Sequence, residues 1–195
     1  MRKRSILLLG STIPLLMLSA CGGDSGGVAS TPPPPAPAPT PPPPPPPPTG
    51  TFNTVEDNQS NAAVQAQALV AYQAGATGRG VTAAVIDSGI NLSSAEFSGK
   101  ISPLSADLAG SRGLQDEGGH GSAVSGVLLG ARNGLGIHGV AFDATLLVAR
   151  TDTPGSCTGT GGADPGCSHN DNNIARGVDL AVTAGARVIN MSLGG

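Results

Sequence analysis

The alternation of apolar and polar positions divides this 195-residue chain into stretches of different character. Ile6 to Leu18 is a largely apolar run interrupted at Gly10 and Pro14, and Gly22 to Gly50 has no periodic apolar pattern, being almost pure proline from Pro32 to Pro48. From Asn61 to Ala74 the Ala, Val and Leu positions interspersed with Gln favour one helix that ends before Gly75. Val81 to Ile86 is a short apolar run of the kind that forms a buried parallel strand, and it stops at Asp87-Ser88-Gly89. His120 opens a segment in which Val124, Val127 and Leu128 recur at helical spacing. Between these two, Asn91 to Glu117 is Ser- and Gly-rich and reads as loop with short pieces of structure; Asp116 and Glu117 read as solvated charges, the alternative being that their negative charge raises the His120 pKa. Thr145 to Ala149 is a second strand. Asn172 to Ala184 is a helix capped by Asp171 or Asn172 and stopped by Gly185, and Arg187 to Ser192 is a third strand.

Strand and helix alternate, which predicts an α/β fold: a parallel sheet with helices on both faces. In such sheets ligands bind where loops diverge from the carboxyl ends of strands. Asp87 occupies that position on the first strand, and His120, at the first turn of the helix that follows, is held rigidly. Both are candidate functional residues. Gly134-Leu135-Gly136-Ile137-His138-Gly139 satisfies a dinucleotide-type glycine pattern but follows a helix and precedes a strand, the reverse of what phosphate binding needs, so it reads as a connecting loop.

Composition narrows the classes. The chain has 10 basic and 13 acidic residues, and three of the basic ones are Arg2, Lys3 and Arg4, so the remainder is more acidic still. It carries no nucleic-acid footprint, and nucleic acid is not an expected partner. One Tyr, three Phe and no Trp leave Gly, Ala and Val to form the interior, which suits close packing of helix on sheet.

Arg2 to Arg4 followed by the Ile6–Leu18 run has the form of a signal peptide over residues 1–20, too short to be a permanent span. Leu18-Ser19-Ala20-Cys21 resembles a bacterial lipobox, which implies that Cys21 is acylated and becomes the mature N-terminus. Residues 21–50 are then a lipidated Cys and Pro-rich linker, extended at about 3.1 Å per residue. The expected location is the cell envelope: exported, lipid-anchored to a bacterial membrane, at the outer membrane or cell surface. Two further cysteines, Cys157 and Cys167, fall in a Gly/Ser/Thr-rich excursion. In an exported protein a disulfide closing a surface loop is their simplest use. Free thiols, or a metal site with His169 at a spacing that fits no standard zinc pattern, are the alternatives.

Four segments in order carry a family resemblance. Ala84-Val85-Ile86-Asp87-Ser88-Gly89-Ile90 resembles the aspartate motif of the subtilisin-like serine proteases, and His120-Gly121-Ser122-Ala123-Val124-Ser125-Gly126 resembles their histidine motif. Gly139-Val140-Ala141 with Ala144 to Val148 resembles the strand after the histidine helix, and Val188 to Gly195 the strand beside bound substrate. Aspartate before histidine is the chain order of subtilisin. The resemblance implies that residues 51–195 are the N-terminal part of a subtilase domain, a truncated subtilisin-like sheet. It assigns Asp87 and His120 as catalytic, Ser192, Leu193 and Gly194 as substrate-binding, and polypeptides as substrates. No cofactor is identifiable, although the family often binds calcium; no complete calcium ligand set maps onto these residues. The family's nucleophile lies in a Gly-Thr-Ser-type motif that these residues do not contain. The expectation is therefore an exported, membrane-anchored serine endopeptidase present as a fragment, inactive alone. The alternative is an inactive surface lipoprotein acting as a binding or structural module.

Overall fold

A computed structural model of the protein describes residues 51–157 and 166–194. The expected signal peptide, Cys21, the expected proline-rich linker and Gly195 lie outside the described residues. The described chain opens with α1 (Val55–Gln59), α2 (Asn61–Gln65) and α3 (Leu69–Gln73). There follow β1 (Thr82–Asp87), β2 (Ala106–Asp107), α4 (His120–Leu129), β3 (Thr145–Arg150), α5 (Asp171–Thr183) and β4 (Val188–Asn190). The strands form one parallel sheet in the order β2-β3-β1-β4.

β1 is central because both its faces are apolar. Ala83 and Val85, with Leu146 and Val148 of β3, point to one side, where Val124, Leu128 and Leu129 of α4 cover them. Ala84 and Leu147 point to the other, against Leu180 and Ala181 of α5. Strand side chains alternate between faces, so Asp87 lies on the same side as Ala83 and Val85, the side of α4. Burying two such faces stabilises the sheet by about 25 cal/mol per Å² of apolar surface removed from water. β4 is an edge, and its Val188 is half exposed.

Several elements differ from the sequence pattern. The single helix expected over 61–74 is two short helices broken at Gln67, whose φ is +53°. The break brings Ala63, Ala68 and Tyr72 onto one cluster with Phe142 and the flanking Phe52, with the Tyr72 and Phe142 rings 5.0 Å apart. α1 was not anticipated; its capping box pairs Thr54 with Asp57. The strand expected to Ser192 pairs only to Asn190, α5 is capped by Asn170 rather than Asp171 or Asn172, and Val127 is half exposed on the outer side of α4. No helix among the described residues is long and apolar enough to cross a membrane.

Candidate active site

β1 delivers Asp87 to the carboxyl edge of the sheet, and α4 begins with His120 directly above it. The Asp87 side chain is 1% exposed and His120 is 48% exposed, and Asp87 Oδ1 lies 2.9 Å from His120 Nδ1. The same oxygen accepts the Ser88 N–H at 2.7 Å. With Nδ1–H donated to a carboxylate, the imidazole is fixed in the tautomer that leaves Nε2 as its basic nitrogen. Oδ2 of Asp87 has no partner among the described residues.

Close approach of helix and loop is what allows this pair. A Cβ on Gly121 would meet Gly89 O at 2.4 Å and Asp87 Cβ at 3.2 Å, so only glycine after His120 lets α4 dock on the turn that follows β1.

Of the two charges expected to be solvated before His120, Glu117 is exposed but Asp116 is not. Asp116 is partly buried and accepts from Ser88, Gly118, Gly119 and Ser122. Burial opposes its ionisation, but these hydrogen bonds prevail and hold its carboxyl below the ordinary value. Glu117 pairs with Arg112 at 3.1 Å and Arg150 at 3.2 Å. Arg150 is fully buried at the end of β3, donates to both oxygens of Asp152, and bonds the carbonyls of Gly113 and Gln115. Asp152 is kept below its ordinary value by Arg150 and Arg112, against the opposing effect of burial. Hydropathy could not expose this network, since a charged residue closing an apolar strand looks like a strand end.

A cleft of about 220 Å³ opens beside His120. Ser192, Leu193 and Gly194 line it, as do Gly118, His169, Cys157 and Cys167, so the expected substrate-binding segment and His120 share one cavity. Pairing of β4 with β1 stops at Asn190, which leaves Ser192 to Gly194 beyond the ladder. Cys157 and Cys167 are joined by a disulfide that packs against Gly118, and His169 Nδ1 lies 2.9 Å from Thr151 Oγ1. No group of three or more His, Cys, Asp or Glu side chains that could hold a metal ion occurs among the described residues.

Comparison with known proteins identifies the family. The sequence profile of the Subtilase family matches residues 78–195. An "Extracellular serine protease" of Serratia marcescens is 35% identical over 148 residues, covering 74% of this chain and 12% of the relative. "Subtilisin Savinase" of Lederbergia lenta is 33% identical over 128 residues, covering 66% of this chain and 42% of the relative. The crystal structure of MycP1 with its N-terminal propeptide removed superposes with a TM-score of 0.51 at 29% identity, covering 68% of this chain and 37% of that one. The chain thus spans less than half the length of each of these proteins.

Proposed function

The chain belongs to the subtilase family, and from that membership we propose that it supplies the Asp–His half of an exported serine endopeptidase. The observation that carries this is the buried Asp87 carboxylate held 2.9 Å from Nδ1 of a half-exposed His120 at the mouth of a cleft. In this reading a serine hydroxyl attacks the peptide carbonyl while His120 Nε2 takes its proton; His120 then protonates the leaving amine, and water releases the acyl group by the same steps. Asp87 orients the ring and stabilises the imidazolium. Ser192 to Gly194 offer main-chain groups to an extended polypeptide, strand against strand.

The nucleophile is assigned to polypeptide beyond Gly195, because the 195 residues contain no Gly-Thr-Ser motif and cover 42% of the Savinase relative. By itself the chain is inactive in this reading. Residues 1–20 direct export, and lipidated Cys21 with the proline-rich linker tethers residues 51–195 to the membrane; relatives named extracellular proteases support export.

The test is to read the coding DNA past codon 195, express the whole reading frame, and treat it with a fluorophosphonate probe. A downstream Gly-Thr-Ser serine that labels, with hydrolysis of a peptide substrate, is the expected result. A stop without such a motif in any frame refutes the endopeptidase and leaves the binding module.

A further inference from the structure

Two hydrogen bonds separate the reacting pair from a second carboxylate. Asp87 Oδ1 accepts the Ser88 N–H and lies within hydrogen-bonding distance of His120, and the Ser88 hydroxyl donates to Asp116 Oδ1 at 2.9 Å. We propose that Asp116 is the positioning residue of the Asp87–His120 pair, locking the turn after β1 to the first turn of α4 and so fixing the separation of the two side chains. The proposal rests on the endopeptidase reading of this site.

Three features support it. Both Asp116 oxygens are fully used: Oδ1 accepts from the Ser88 hydroxyl and the Gly118 and Gly119 N–H groups, and Oδ2 accepts the Ser122 N–H at 2.8 Å and its hydroxyl at 2.6 Å. These donors lie on both sides of the pair, one adjacent to Asp87 and the others flanking His120. Next, α4 starts at a left-handed Gly119 that has no side chain to cap it. Its exposed N–H groups are instead met from outside, Gly121 by Ser88 Oγ at 3.0 Å and Ser122 by Asp116, and a negative charge there complements the helix dipole. Finally, the Asp116 backbone is fastened to the turn after β1, through Asp116 N–H to Ile90 O at 3.0 Å and Ile90 N–H to Leu114 O at 2.8 Å. The carboxylate therefore cannot move with the helix alone. Glu117 faces away and pairs with arginines.

The experiment compares Asp116→Ala, Ser88→Ala and His120→Ala with wild type, in the whole reading frame for kinetics and in the 195-residue chain for NMR of the His120 Nδ1 proton. Misplacing a reacting group by about 1 Å costs about 10²-fold. Asp116→Ala is expected to lower kcat by about that factor with KM changed less than about 3-fold, and to speed solvent exchange of the Nδ1 proton by about 10-fold or more. Ser88→Ala, which leaves the Asp116 carboxylate in place but breaks its link to the Asp87 turn, should give a loss of about 10-fold in kcat. Amide protection of Leu147 and Val148 in β3 reports whether each variant is folded. A folded Asp116→Ala with wild-type kcat and an unchanged Nδ1 proton overturns the proposal. Should Asp116→Ala unfold, an unaffected Ser88→Ala overturns it equally. If His120→Ala retains turnover, the endopeptidase reading fails instead, and the Nδ1 proton still decides whether Asp116 positions the ring.

Discussion

Replacing Arg132 by Ala should release the N-terminal helices from the body of the sheet without unfolding it. Arg132 reaches across to α1 with Nε 2.7 Å from Asp57 Oδ1 and Nη2 2.8 Å from Oδ2, bonds Thr51 O at 3.0 Å, and lies 4.9 Å over the Phe52 ring. The pair is largely shielded, with Asp57 9% and Arg132 23% exposed. Truncating one partner of a buried ion pair costs about 3–5 kcal/mol. Asp57 keeps Thr54 and His138 as partners in the variant, so the lower end, about 3 kcal/mol, applies. That loss falls on a local opening, because α1 is otherwise held at a few points, by His138 at Asp57 and Ser60 and by Glu56, whose carboxylate accepts the Asn133 and Gly134 N–H groups. At 1.4 kcal/mol per decade, native-state exchange of those two amides should quicken by about 10²-fold, while Leu147 and Val148 stay protected. The Arg132 hydrogen bonds also hold the Asp57 carboxyl far below its ordinary value, outweighing burial. A depressed folded value means that this stabilisation is complete above the unfolded value of about 3.9 and is lost only as pH falls through the lower folded one. In wild type the clasp should therefore hold at pH 4.5, whereas in Arg132→Ala its remaining contacts fade as pH approaches 4. Exchange of Asn133 and Gly134 within about 3-fold of wild type would refute the reasoning.

In the complete enzyme His120→Ala should lower kcat by several orders of magnitude, and Asp87→Asn by about 10⁴-fold through the wrong imidazole tautomer, with KM little changed in a steady-state peptide assay; a tenth of wild-type turnover in His120→Ala would contradict the assignment. Cys21→Ala should abolish incorporation of a fatty-acid analogue and release the protein from membranes, as fractionation would show. Gly121→Ala puts a Cβ at 2.4 Å from Gly89 O, so α4 must lift from the Asp87 turn; a loss of about 1–3 kcal/mol in a thermal melt is expected, with turnover falling further than the melt alone explains.

The two inner strands, β1 and β3, are legible because they are buried on both faces and so read as unbroken apolar runs, whereas the two-residue β2 lies within the segment 91–117 that reads as loop, and the edge strand β4 is shorter than its apolar pattern. Ala83 to Ile86 and Leu146 to Val148 are at most 4% exposed, and their ends were placed to within a residue. Where the pattern misled, a different force decided the structure. Ala62 to Ala74 has strong helix propensity throughout, yet collecting Ala63, Ala68 and Tyr72 on one aromatic cluster prevailed over an unbroken helix. Of the three positions at helical spacing in α4, Val124 and Leu128 pack on the sheet and Val127 is half exposed, while Gly121 and Ser125, small residues that hydropathy does not register, are buried beside Leu129. α1 escaped notice since its cap, Thr54 with Asp57, precedes no apolar run long enough to suggest a helix.

The same distinction separates the reacting pair from its support. Asp87 and His120 each stand at a change of pattern, one ending an apolar strand and the other opening a helix, so position alone marks them as unusual. Asp116 and Asp152 stand at no such boundary, and Arg150, which closes β3, looks there like an ordinary strand end; the importance of Asp116 and Arg150 comes from partners far away in sequence, Ser88 for Asp116 and the Gly113 and Gln115 carbonyls for Arg150. A buried guanidinium needs several acceptors at fixed distances, and here two of them are main-chain carbonyls of the segment that carries Asp116. Arg150 in turn is the residue that pairs in register with Asp87 across β1 and β3. The strand that presents one carboxylate is thus registered against the residue that anchors the loop presenting the other. A charge at position 150 is therefore required by the loop rather than by the strand, and Arg150→Met, though better matched to the strand's hydropathy, should loosen residues 113–117 before it loosens the sheet.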